Sequence, residues 1–179
     1  MGGLDWRVIA APGHDTHAVM FHSPEARLLI SGDALWENGF GVVFPQLFGR
    51  DTALAETRAT LEAISRLEVD TVIPGHGRSF DKVEAAIERA LYRLEGYEED
   101  ITRLARHCAK VMLSFALMEK RSMPLARLPA YIASVPILAE LNSRYLGMTA
   151  PAMAEWLADE LERAGAAVRR EGLLLAKGE

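Results

Sequence analysis

At 179 residues the chain has room for one domain, or one and a half. Half of the residues are hydrophobic and a quarter are charged, an ordinary globular composition. The net charge of −5 argues against a dedicated nucleic-acid binder, and a single cysteine, Cys108, excludes an internal disulfide and suits a reducing compartment. The N-terminus lacks the basic region and apolar core of a signal peptide. Trp6 breaks the myristoylation pattern that Met1-Gly2 would open. No apolar run approaches the ~20 residues that span a bilayer. A cytoplasmic protein with no membrane contact is the expectation.

In chain order, Trp6 to Ala10 is short and β-rich, and Pro12-Gly13 ends it. Ala18 to His22 and Leu28 to Ser31 are two further apolar runs, and Ser23-Pro24-Glu25-Ala26 joins them as a hairpin. Gly32 permits a tight turn before Asp33. Trp36 to Gly49 has no clear period and predicts a loop over the preceding turns. Asp51 is placed to cap a helix with Leu54, Leu61, Ile64 and Leu67 as its apolar stripe. Thr71-Val72-Ile73 predicts a strand ending at Pro74-Gly75-His76. Strand, helix and strand in alternation suit helices packed outside a sheet. From Asp81 a long helical pattern runs through Val83, Ile87, Leu91, Leu94, Ile101 and Leu104, weakened near Gly96.

From about Cys108 the character changes. An apolar helical context reads Cys108 as a buried structural thiol. Helical segments are expected over Ala109–Lys120, Leu125–Tyr145 with a break at Pro136, and Pro151–Ala164. Thr149 is the N-cap of the last and Gly165 its stop. Ala167–Arg170 and Leu173–Ala176 flank Glu171-Gly172 as a β-hairpin. Helices followed by a hairpin resemble a winged-helix module. Residues 121–179 hold seven Lys/Arg and seven Asp/Glu, so they lack the net positive face that phosphate binding needs. The expected division is 1–107 and 108–179.

Three strand-end motifs carry the chemistry: Pro12-Gly13-His14, Ser31-Gly32-Asp33 and Pro74-Gly75-His76. Each sets a metal-capable side chain beside glycine after an apolar run. They lie too far apart in sequence for one local motif, so only a folded sheet joins them. Imidazole suits zinc, iron or manganese, and a carboxylate has two oxygens for two cations. No Gly-x-Ser-x-Gly elbow is present and Cys108 has no local signature, so a covalent mechanism lacks support. His17 is a candidate for orienting a ligand or substrate. His22 and His107 have no motif context and are read as structural.

The ordered set resembles the second half of the metallo-β-lactamase superfamily, over roughly residues 6 to 95. The resemblance implies that His14 binds one metal, Asp33 bridges two and takes part in catalysis, and His76 binds the second. It implies a dinuclear hydrolase in which paired metals activate water, with zinc as the first candidate and iron or manganese as others. The implied fold is α+β: the second half of an αββα sandwich followed by a mostly helical, winged-helix-like module. Asp at position 33 resembles the thioesterase, lactonase and nuclease branches, so a thioester or ester is the expected small-molecule substrate. A ribonuclease branch and a non-catalytic module that pairs with a partner are the alternatives. The family's other ligands come from an upstream His-x-His-x-Asp-His motif, and no His precedes His14. The chain is therefore expected to be the C-terminal part of a longer hydrolase, weakly active alone. It should self-associate or bind the missing N-terminal half through a sheet lined by Val8, Val19, Phe21, Leu29, Val72 and Ile73.

Overall fold

The computed structural model describes residues 2–44 and 52–177. They form two compact units, Met1–Asp100 and Ile101–Glu179. Both mix helix and sheet, so the protein is α+β.

The first unit contains β1 (Arg7–Ala10), β2 (Val19–Ser23), β3 (Leu28–Gly32), α1 (Ala53–Ser65), β4 (Thr71–Pro74) and α2 (Val83–Glu99). Its sheet runs in the order β1-β2-β3-β4. The first two pairings are antiparallel, while β3 and β4 are parallel and α1 lies on the crossover that joins them. Alternation along the strands sends Met20, Leu29 and Val72 to one face, where all three are fully buried. Leu61 and Ile64 of α1 and Ala86, Ala90 and Leu94 of α2 complete this core. His22 is buried in the same strand, and its Nε2–H donates to the Glu68 carbonyl at 3.1 Å, as expected of a structural histidine.

The opposite face of the sheet is also apolar. Val8, Phe21, Ile30 and Ile73 stand in register across all four strands. Val8 is 65 % exposed and Ile73 40 %. Of the six residues expected to line this sheet, Val8, Val19, Phe21 and Ile73 alternate onto the open face, and Leu29 and Val72 onto the helix-side core.

Arg27 ties the β2–β3 turn to the start of β4. Its guanidinium donates to both Asp70 carboxylate oxygens at 2.7 and 2.9 Å and to Glu68 at 3.0 Å. The Arg27 hydrogen bonds hold the Asp70 carboxyl below its usual range. The stripe expected on α1 is rotated: its buried positions are Ala53, Thr57, Thr60, Leu61 and Ile64, with Leu54 only half-buried. Asp51, the expected cap, lies outside the described residues.

The second unit contains α3 (Ile101–Lys120), β5 (Ser122–Pro124), a 3-10 turn (Leu125–Arg127), α4 (Leu128–Ser134) and α5 (Pro136–Leu141). A π-helical turn (Asn142–Leu146), α6 (Ala150–Arg163), β6 (Ala167–Arg170) and β7 (Leu173–Ala176) follow. The apolar period that runs from Val83 to Leu104 is interrupted, because Asp100 takes an extended conformation at φ −136° and ψ 93°. The division expected at 107/108 falls inside α3, where helical periodicity conceals the break seven residues earlier.

Other local signals are realised as read. α4 stops before Pro136, whose ring cannot continue a helix without losing a hydrogen bond. The Thr149 hydroxyl accepts from the Ala152 amide at 3.3 Å and caps α6. The β6–β7 hairpin turns at Glu171-Gly172, both at positive φ (51° and 75°), the conformation that matches strand twist. β5 is an addition: three residues too short to show a period pair with β7, so the sheet order is β5-β7-β6. Arg169 of β6 reaches back to Asp159, Glu162 and Glu155 at 2.6 to 3.1 Å and locks the hairpin onto α6.

Cys108 has no solvent exposure, and burial pushes its thiol up to about 12. The thiolate is the reactive form. The native protein at pH 8 is therefore expected to resist alkylation by iodoacetamide, and to react quickly once denatured. Rapid labelling of the folded chain, followed by mass spectrometry, would contradict the packing described for α3.

Candidate metal centre

The three glycine-flanked turns meet at one end of the first sheet. His14 leaves the turn after β1, Asp33 follows β3 and His76 follows β4. Parallel pairing sends β3 and β4 out of the sheet at the same end, with Gly32 opposite Pro74 after a register shift. The Gly75 amide then donates to the Gly32 carbonyl at 2.8 Å. This stitches the two turns together and brings Asp33 and His76 side by side.

Asp33 lies between the two imidazoles. Its Oδ2 is 3.6 Å from His14 Nε2, and its Oδ1 is 3.8 Å from His76 Nε2. The indole Nε1–H of Trp36 donates to Oδ1 at 3.1 Å, and the Trp36 ring meets the His76 ring edge-on with centroids 5.1 Å apart. The carboxylate is one-third exposed and His76 is 70 % exposed, so the cluster opens to solvent on the His76 side.

The His14 Nδ1 is 2.6 Å from the Val42 carbonyl, which only accepts, so Nδ1–H donates and Nε2 is the nitrogen that faces the carboxylate. With no proton on Nε2, the two facing atoms are both acceptors, and a proton or a metal cation between them relieves the repulsion. A backbone carbonyl on the far ring nitrogen is the arrangement that orients histidine ligands in metal sites.

The cluster fits a metal by distance and falls short in donor number. Zinc bonds to nitrogen and oxygen of about 2.0–2.2 Å span at most ~4.4 Å between two donors. Gaps of 3.6 and 3.8 Å are therefore each within reach of one cation. Each position, however, has one imidazole and one carboxylate oxygen, whereas zinc takes three or four protein ligands. Among the described residues no group of three or more His, Cys, Asp or Glu is close enough to hold one ion. His17 does not enlarge the set. It is exposed, its backbone amide donates to Asp15 Oδ1 at 2.7 Å, and its ring makes no hydrogen bond among the described residues.

Side chains that the sequence did not single out hold this geometry. Thr60 of α1 donates to the Pro12 carbonyl at 2.8 Å, and Thr57 sits so close to Gly13 that a Cβ there would fall 2.4 Å from its hydroxyl. Two threonines at i and i+3 on the otherwise apolar buried face of α1 were the available signal. Arg89 of α2 donates twice to the Glu37 carbonyl, at 2.7 and 3.1 Å, and steadies the turn that carries Trp36. Gly41 closes the back of the site: its amide donates to the Asp33 carbonyl at 2.7 Å, and a Cβ would fall 2.7 Å from Asp33 Cβ and 3.0 Å from His14 Cγ. Of the loop expected over the site, residues 45–49 lie outside the described residues.

Gly41→Ala is expected to displace Asp33 from His14 and to destabilise the chain by about 1–3 kcal/mol, the usual range for overpacking. Chemical denaturation followed by tryptophan fluorescence measures this. An unchanged midpoint would mean that Gly41 does not pack as described.

Residues 1–76 match the family model of the metallo-beta-lactamase superfamily. A curated relative, "Probable metallo-hydrolase YqjP" of Bacillus subtilis (strain 168), is 32 % identical over 108 residues, covering 57 % of this chain and 34 % of the relative. A metallo-beta-lactamase family protein of Thermus thermophilus has a solved structure that aligns at 20 % identity and TM-score 0.46, over 98 % of this chain and 50 % of that one. A beta-lactamase domain protein of Burkholderia ambifaria aligns at 23 % and TM-score 0.47, over 99 % and 49 %. The chain thus spans about a third of the length of the curated relative and about half of those two solved chains. The ordered His14, Asp33 and His76 turns all fall within residues 1–76, the segment that matches the metallo-beta-lactamase superfamily model.

Proposed function

We propose that this chain is the C-terminal portion of a metal-dependent hydrolase in which His14, Asp33 and His76 would hold two cations. The observation that carries the reading is two imidazoles converging on one carboxylate, with His14 Nε2 3.6 Å from Asp33 Oδ2 and His76 Nε2 3.8 Å from Oδ1, each gap within the span of one cation. Zinc is the first choice of metal, with iron and manganese next, because imidazole and carboxylate together suit borderline ions. When bound, such a pair supplies Lewis acidity and an activated water. The residues of this chain do three things toward it: His14 and His76 would each donate one nitrogen, Asp33 would span both positions, and Trp36 orients the carboxylate.

The match to the superfamily and the metallo-hydrolase name of the curated relative support hydrolysis as the reaction class. A thioester or ester is the proposed substrate, because Asp at position 33 resembles the thioesterase, lactonase and nuclease branches, with a ribonuclease activity as the alternative. The remaining metal donors would come from residues other than those of this cluster.

The same reading includes a partner. The row Val8, Phe21, Ile30 and Ile73 makes an apolar sheet face with its outer members exposed. Apolar patches of several hundred Å² rarely remain open on a monomer, and β1 is an edge strand that adds a drive to pair. A second copy, or the polypeptide that brings the further donors, would cover it. The second unit fits a winged-helix-like module by its helices, its closing hairpin and the strand order β5-β7-β6. With charges balanced over residues 121–179, packing is its proposed role rather than nucleic-acid binding.

Two measurements test this reading. Zinc titration followed by the ring-proton NMR signals of His14 and His76 is expected to move both rings together, with affinity weaker than about 1 µM because each ion has only two protein donors. Asp33→Ala should abolish the coupled shift. Rings that ignore zinc, manganese and iron alike, or sub-micromolar binding by this chain alone, would overturn the two-position reading. Light scattering on a sample checked by mass spectrometry is expected to show self-association or a retained companion polypeptide. A monodisperse 19.7 kDa species would refute the partnered sheet face.

A further inference from the structure

A second candidate site lies wholly within the second unit. The end of α3, strand β5, the 3-10 turn and α4 enclose an open depression of about 590 Å³. That is the size range of small-molecule pockets. Its lining divides into two kinds of side chain. Met123, Pro124, Ala130 and Tyr131 give it an apolar floor and wall, while Lys120 and Arg127 stand at the rim. Met123 is buried while Lys120 and Arg127 are exposed, which sets the floor and the rim apart.

The charges there are one-sided. No lining residue is acidic. Several cations elsewhere in the unit are matched: Lys110 meets Glu160, Arg144 meets Glu140, and Arg169 meets three carboxylates. Among the described residues Lys120 and Arg127 form no ion pair. Lys120 instead holds its ammonium 5.8 Å from the centroid of the Tyr131 ring, within the range of a cation–π contact. That contact keeps the charge over the depression. Nearby Ser122 adds a hydroxyl donor to the lining.

We propose that this depression binds an amphipathic organic anion. Its carboxylate or phosphate would lie between Lys120 and Arg127, and its apolar body on Tyr131, Met123 and Pro124. Ionised hydrogen bonds at the rim supply orientation, and the apolar floor supplies the area that leaves water. Two cations suit one small anion. Nucleic-acid binding draws instead on several phosphate contacts at once, and the neutral balance of residues 121–179 does not offer them.

The test is an NMR titration of the full chain, reading the backbone amides of residues 120–134. The probes are octanoate, octyl phosphate, octanol, inorganic phosphate and an eight-residue oligothymidylate. Octanoate and octyl phosphate are expected to shift these amides saturably, with octanol and inorganic phosphate at least tenfold weaker. The tighter of the two anionic probes identifies the head group. Lys120→Gln with Arg127→Gln should weaken binding by about tenfold, the effect of losing a charge-assisted contact. Tyr131→Ala should weaken it without changing the order of the probes. Both sets of side chains are at the surface, and circular dichroism confirms folding of each variant. The proposal is overturned if octanol binds as well as octanoate, if only the oligonucleotide shifts these amides, or if the double variant binds unchanged.

Discussion

One contact organises the first unit: the Asp33 carboxylate, shared between two imidazoles and held by an indole N–H. It depends on the parallel pairing of β3 and β4, which ends both strands on the same side, and on glycines at the crowded positions. A Cβ at Gly75 would fall 2.9 Å from Asp33 Oδ1, and one at Gly41 would fall 2.7 Å from Asp33 Cβ. The close approach of backbone to carboxylate is what allows three turns from distant parts of the chain to converge. Enlarging either glycine pushes against the group that the cluster is built on.

The cluster is held unevenly. His14 is fixed from two directions, by the Val42 carbonyl on its ring and by Thr57 and Thr60 against its turn. His76 has the edge of Trp36 and otherwise faces solvent. An exposed imidazole keeps rotamer freedom, which costs entropy to lose on binding. The His14 position is therefore the more preorganised half of the site, and the His76 position the half that a ligand must order. The open sheet face is uneven too, with its greatest exposure at Val8 of the edge strand β1.

The second unit rests on a different kind of constraint. Its helices pack around Leu104, Leu113, Leu117, Leu157 and Leu174, and ion pairs fasten its hairpin to α6. Lys120 and Arg127 are left without carboxylate partners among the described residues and share one depression with apolar side chains. A charge left unmatched beside an apolar floor differs physically from a charge run in solvent, because a ligand there gains both contacts at once.

Much of this was legible from the residues alone. Pro-Gly-His and Ser-Gly-Asp after apolar runs mark turns that carry ligand-capable side chains, and Thr149, Gly165 and Glu171-Gly172 mark a cap, a stop and a hairpin. These are local signals: a cap hydroxyl, a positive φ and a proline without an N–H act within a few residues. Other features were hidden for equally physical reasons. Asp100 breaks a helix across an unbroken apolar period, since one extended residue leaves no trace in periodicity. β5 is too short to alternate, and takes its conformation from β7. Thr57 and Thr60 look like ordinary helix polars until the Pro12-Gly13 turn packs on them. The sequence by itself determined which side chains could bind a metal and that they sit at strand ends. Only the tertiary structure decided that Asp33 lies between the two histidines and that His17 stands apart. Only it decided that Lys120 and Arg127 share one depression, because such distances depend on strand register and helix packing rather than on neighbours in the chain.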